Sequence, residues 1–127
     1  MFSHVMLGTN DKDQAKRFYD ALFAAAGGKP GTVNAKGHLV YAHGGGRLIV
    51  GSTVNGEPAT GGNGQTLGFA MESEDQAKAW HDAGVANGGR SVEDPPGIRQ
   101  SPMGAMYLAY LRDPDGNKLC GVYRVPA

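Results

Sequence analysis

Asp13-Gln14-Ala15-Lys16 recurs 62 residues later as Asp75-Gln76-Ala77-Lys78, and the match extends well beyond those four residues. On the same shift Phe18 falls on Trp80, Asp20-Ala21 on Asp82-Ala83, Ala24 on Ala86 and Gly27 on Gly89. Half the positions from 13 to 28 are therefore identical without a gap. Two unrelated amphipathic helices would not share so many side chains. An internal duplication accounts for them and frames the rest of the chain.

Each copy carries the same local logic. Asp11 and Ser73 each offer an N-cap oxygen with Gln14 or Gln76 three residues on, a capping-box pattern. Ala15, Phe18, Leu22 and Ala25 form an apolar stripe at helical spacing, and Ala77, Trp80 and Gly84 begin its counterpart. Gly27 and Gly89 suit the left-handed residue that ends each helix. A strand precedes each helix, at Phe2 to Gly8 and at Thr66 to Glu72. Extended segments follow: Lys29 to Ala35, His38 to His43 and Arg47 to Gly51, then Arg90 to Asp94, Met106 to Arg112 and Asn117 to Arg124. Asp113-Pro114-Asp115-Gly116 joins the last two, with Pro where a type I turn fixes φ and Gly where the chain leaves it. Each unit therefore reads βαβββ. The Gly-, Asn-, Pro- and Thr-rich run from Ser52 to Gly64 holds a linker at 55–64, between module one at 1–54 and module two at 65–127. The 127 residues fit one domain with a core of its own.

Composition narrows the function classes. Twelve Lys and Arg balance twelve Asp and Glu, so no excess of positive charge favours nucleic acid or an anionic membrane. The single cysteine, Cys120, forms no internal disulfide and gives no sign of an oxidising compartment. Met1-Phe2-Ser3-His4 does not read as a signal peptide, and nothing approaches the roughly 20 apolar residues of a membrane span. The expectation is a cytoplasmic protein.

Two βαβββ units in one short chain resemble the vicinal oxygen chelate superfamily, the glyoxalase, bleomycin-resistance and dioxygenase group. The residues that carry the resemblance are Phe2-Ser3-His4-Val5, Arg17-Phe18-Tyr19-Asp20 and Asp113-Pro114-Asp115-Gly116-Asn117-Lys118-Leu119. Gly56-x-Pro58-Ala59-Thr60 and Pro95-Pro96-Gly97-Ile98-Arg99 look like a bacterial lactoylglutathione lyase-like branch. The resemblance implies an α+β fold in which the tandem modules form a cupped, eight-stranded mixed sheet. It also implies four metal ligands converging from four strands. Carried onto this chain, those positions are His4, Ile49, Thr66 and Cys120, so His4 alone is retained.

That substitution bears directly on chemistry. Glyoxalase-type isomerisation needs a Lewis-acidic metal and a carboxylate to move the proton, and family dioxygenases need Fe(II) on two His and a carboxylate. No bound metal is expected from Ile, Thr and Cys at these places. The favoured function is a bleomycin resistance-like protein that holds a small, partly apolar molecule in the cup without metal. The alternative is a lyase, isomerase or dioxygenase whose Zn, Ni or Fe sits on a relocated ligand set including His4 and Cys120. The third reading is a structural or regulatory module whose cup has lost its ligand.

Strand alternation places Val5, Leu7, Leu67, Phe69 and Met71 toward the helices. His4, Met6 and Gly8, with Thr66, Gly68 and Ala70, take the other face, small and uncharged enough for a binding wall. His4 is either a residual ligand or base, or a hydrogen-bonded inward histidine. Cys120 is either a soft ligand or a thiolate activated by His4, or a small buried apolar residue. Thr66 is a hydrogen-bonding group or simply a good strand residue. Tyr107 and Tyr110 have opposite parity, so only one of them, represented by Tyr110 among the binding candidates, lines the cup. Arg99 is an anion contact at its mouth or a solvated loop residue. His38 and His43 lack a matching carboxylate, and His81, which falls on Tyr19 in the repeat, is expected at the surface. Relatives commonly dimerise, sometimes exchanging modules, so a homodimer is expected.

Overall fold

The computed structural model describes all 127 residues, in the order β1 (Val5–Gly8), α1 (Lys12–Ala25), β2 (Thr32–Val33), β3 (Leu39–His43), β4 (Gly46–Gly51), β5 (Leu67–Ala70), α2 (Glu74–Ala86), β6 (Arg90–Ser91), β7 (Gly97–Ser101), β8 (Gly104–Arg112) and β9 (Lys118–Arg124). The α+β architecture with repeated modules is as expected. The strands form two sheets, ordered β1-β4-β3-β2 and β5-β9-β8-β6, with β7 also on β8. There are thus nine strands in two sheets rather than eight in one. The ninth is β7, in the proline-bounded segment read as a loop. The free edge of β8 is long enough for β6 to pair at Leu111 and Arg112 while β7 pairs from Gly104 to Leu108.

Local chemistry explains both helices. The Asp11 carboxylate accepts from the Gln14 N–H at 3.1 Å, and the Ser73 hydroxyl from the Gln76 N–H at 3.0 Å. At the far ends Gly27 takes a φ of +84°, but in the second copy the left-handed residue is Gly88, with φ +99°, not Gly89. Gly89 is kept small for another reason. A Cβ there would stand 2.8 Å from the Gly84 carbonyl oxygen and would also press on Phe18.

The helices bury one continuous core. Ala15, Phe18, Tyr19 and Leu22 of α1 join Ala77 and Trp80 of α2, with Leu39, Tyr41, Leu48 and Val50 from one sheet and Ala109, Leu111 and Leu119 from the other. The modules meet helix to helix at Gly84, where a Cβ would lie 3.2 Å from Leu22 and 3.3 Å from Phe18. A polar joint adds to this. Tyr19 donates to Asp113 at 2.5 Å, and Asn117 donates both to Asp113 at 2.8 Å and to the Gly8 carbonyl at 3.1 Å. His81 is buried rather than at the surface, with Nε2 2.9 Å from the Ser91 hydroxyl, because α2 packs directly on β6. Its repeat partner Tyr19 is also buried, and that equivalence was the sign available in the sequence.

This joint fixes where the sheets go. No strand of the first sheet comes within 8 Å, Cα to Cα, of a strand of the second. β1 and β5 each end their sheet with one edge unpaired.

Candidate functional site

Register assigns each strand residue to a face. In the first sheet Val5 pairs with Leu48 and Leu7 with Val50 on the helix side, while Met6, Ile49 and Val40 lie in one row on the open side. In the second, Leu67, Leu119 and Leu111 turn to the helices, and Gly68, Cys120 and Tyr110 form an open-side row. Ala70, Val122 and Leu108 form the next row. A Cβ on Gly68 would meet nothing within 4 Å. Tyr107 pairs with Tyr123 and packs against the core, so Tyr110 is the tyrosine of the open face.

The six candidate residues therefore divide. His4, just before β1 and exposed, accepts or donates at Nδ1 to the Ser3 hydroxyl at 2.8 Å, and half-buried Ile49 lies on β4. Thr66, exposed just before β5, goes with Tyr110, Cys120 and Arg99 to the second sheet. Within one chain the β4 position and the β9 position do not approach each other. Within one chain, then, no contact between β1 or β4 and β9 links the strand beside His4 to the strand of Cys120. Arg99 is half-buried and donates to the Pro95 carbonyl at 2.7 Å. Arg124, missed from sequence, shares the open face with Cys120 by simple alternation along β9, which was the signal for it.

The chemistry at Cys120 is that of a covered thiol. Burial pushes its pKa up, against the opposing pull of the Tyr110 hydroxyl. Burial likewise raises Tyr110, with Cys120 adding to the effect. Iodoacetamide at neutral pH is therefore expected to spare Cys120 in the folded protein over a time in which the urea-unfolded chain reacts fully. Rapid labelling of the folded chain, followed by mass spectrometry, would contradict a buried thiol.

The four positions that the resemblance implies carry too few donor atoms to suit a divalent ion. Ile49 has no donor atom, Thr66 is neutral, and nowhere in the chain are three His, Cys, Asp or Glu side chains gathered to hold a metal. His4, His43 and Glu72 all line one cavity, yet they too are not gathered.

That cavity, about 460 Å3, lies on the helix side between the β1 and β5 edges. Val5, Leu48, Phe23, Phe69 and Trp80 give it an apolar wall. Phe23 and Phe69 meet edge to face at 5.9 Å, and Phe69 and Trp80 at 5.6 Å. Of the six candidates, only His4 reaches it.

Known proteins share this architecture. The family model described as Glyoxalase/Bleomycin resistance protein/Dioxygenase superfamily matches residues 1–120. A glyoxalase/bleomycin resistance protein from Albidiferax ferrireducens T118 is 52% identical, covering 98% of this chain and 99% of its own, with a TM-score of 0.93. At the level of fold alone, a glyoxalase-related enzyme from Fulvimarina pelagi is similar, at 21% identity, 98% and 88% coverage and TM-score 0.73. So is a lactoylglutathione lyase from Agrobacterium tumefaciens, at 21% identity, 97% and 92% coverage and TM-score 0.64. No curated protein matches the sequence.

Proposed function

The chain belongs to the glyoxalase/bleomycin resistance protein/dioxygenase superfamily, and from that premise we propose a metal-independent protein that binds a small, partly apolar molecule in a cup completed by a second copy of the chain. What supports this is the division, between the two sheets, of the positions that the resemblance implies. Ile49 lies in one sheet with His4 just before its edge strand, Cys120 in the other with Thr66 just before its edge strand, and both edge strands are unpaired on their outer side. An unpaired edge presents free N–H and C=O groups that invite another strand. Placing β5 of one copy along β1 of the next would satisfy both edges. The open face bearing Met6, Val40 and Ile49 would then oppose the one bearing Gly68, Tyr110 and Cys120. A two-fold axis would make two such cups.

Strands that carry apolar and cationic side chains but no carboxylate favour holding a molecule over transforming it. The composite cup would offer an ion His4 and Cys120 and no strand carboxylate, so the lyase-like alternative lacks its proton carrier. No helix is long and apolar enough to cross a membrane, which suits a freely diffusing binder.

The test is a thermal-shift screen of small amphipathic compounds with EDTA present throughout, alongside sedimentation of the free protein. A compound at a hundred times its Kd should add about 2.7 kcal/mol of stability. A dimer whose ligands tolerate the chelator is the expected result. Binding that EDTA abolishes would restore the metal-dependent alternative.

The helix-side cavity supports a second reading, in which a single chain binds alone. Trp80, the only tryptophan, lines that cavity and not the open faces, so its fluorescence separates the two. A ligand in the cup should leave Trp80 emission nearly unchanged, whereas one in the cavity should quench or shift it.

A further inference from the structure

The chain is electrically neutral, but its charge is sorted by structural element. All twelve Asp and Glu lie in helices and loops, and none in a strand. The strands hold six of the twelve cationic side chains: Arg47 in the first sheet, and Arg90, Arg99, Arg112, Lys118 and Arg124 in the second. Register gives every one of them the parity of the open side, although Arg47, near the start of β4, also borders the helix-side cavity. Arg90 pairs with Arg112, and Arg112 with Lys118. Arg99 pairs with Met106, and Met106 with Arg124. Arg47 alternates with Ile49 along β4. Random placement would scatter both signs among the strands; in this chain every charge borne by a strand is positive.

Some of these charges are already engaged. Lys118 forms an ion pair with Glu93, which reaches over from the loop after β6, and Arg112 donates to the Gly116 carbonyl. Arg99 and Arg124 are different. Neither has a carboxylate partner; Arg99 gives one bond to the Pro95 carbonyl, and Arg124 makes only a 3.9 Å contact with the Met106 sulfur. They flank Met106 from the two neighbouring strands, so their backbones stand about 10 Å apart, within reach of one shared group. The adjoining row, Leu108, Val122 and Ala70, is wholly apolar.

We propose that the molecule held in the cup is an amphipathic anion, its apolar body on Leu108, Val122 and Ala70 and a carboxylate or similar acidic group between Arg99 and Arg124. This rests on the binding function proposed above and names the class of ligand. A carboxylate there gains charge-assisted bonds from two guanidinium groups that no acid of the protein competes for. A neutral isostere keeps the apolar contact and loses those bonds.

Isothermal titration of the full chain with 4-phenylbutyrate and with its neutral amide, 4-phenylbutanamide, tests the assignment. The acid is expected to bind at least about tenfold more tightly than the amide, and R99Q or R124Q each to weaken the acid about tenfold while leaving the amide unchanged. Arg17→Gln, on the exposed face of α1, should alter neither, and all three variants should melt with the wild type. Equal affinity for acid and amide, or indifference to both substitutions, would overturn the anion subsite and leave the binding function standing. Failure of both compounds, and of the matching octanoate and octanamide pair, would remove the binding function and this inference with it.

Discussion

Asp113→Ala is expected to destabilise the chain by about 3–5 kcal/mol, read from urea unfolding followed by circular dichroism. Asp113 is 5% exposed and accepts from four donors: the Tyr19 hydroxyl, the Asn117 side-chain amide, and the backbone N–H groups of Asp115 and Asn117. Alanine leaves all four without an acceptor in a place water reaches poorly. Tyr19 comes from α1 and Asn117 also ties down Gly8, so the loss falls on the joint between modules. Asp113→Asn keeps one acceptor oxygen and should cost less. Burial raises the Asp113 pKa despite these donors. An acid whose folded pKa lies above its unfolded value stabilises fully below the unfolded value and loses that contribution as pH rises through the folded one. Stability attributable to this group should therefore fall with rising pH across the mildly acidic range, and Asp113→Asn should flatten that slope. Equal stability of wild type and Asp113→Ala would contradict the joint.

Phe18→Ala should be comparably severe, about 3–5 kcal/mol, because truncating a fully buried aromatic leaves a cavity that rigid neighbours do not fill. Phe18 is 0% exposed and stacks edge to face on Tyr19 at 4.9 Å. Gly89 stays small against it, and Gly84, held small chiefly by Leu111, also borders it. Its repeat partner Trp80 has a different role, pressing on Gly121 within module two, where a Cβ would stand 2.9 Å from the indole. The duplication has kept an aromatic at both positions and divided their work: Phe18 joins the modules, and Trp80 fills one of them. A loss below about 1 kcal/mol on thermal or urea unfolding would show the helix crossing to be loosely packed.

Both sites show why part of this molecule was legible in sequence. Helix starts follow from side chains acting on their own neighbours, and Asp11 and Ser73 cap as their spacing predicts. Face assignment follows from alternation, so Val5, Leu7, Leu67 and Phe69 lie where the pattern puts them. Strand β7 was hidden because Pro95-Pro96 reads as a loop, although Ile98 and Arg99 beyond it are free to pair with β8. The exchange of Gly89 for Gly88 as the left-handed residue was hidden because a crowded glycine and a positive-φ glycine look alike in sequence. The separation of Ile49 on β4 from Cys120 on β9 was out of reach for a deeper reason. Alternation says which side of its own sheet a residue takes. It does not say whether two sheets face each other or are held apart by their helices. That depends on the packing of Phe18, Gly84 and Tyr19 against the other module.

The proposed composite cup is tested most directly by cross-linking. In a Cys120→Ser background carrying His4→Cys and Thr66→Cys, both new thiols are exposed in the isolated chain and immediately precede the edge strands of different sheets. A short bis-maleimide, applied to dilute protein and read on a denaturing gel, should yield a species of twice the chain's mass, absent when either substitution is made alone. Links within single chains can form across the helix-side cavity that His4 and Leu67 both line, so the doubled mass is the deciding species, and its absence from the double variant would contradict a cup built from two copies.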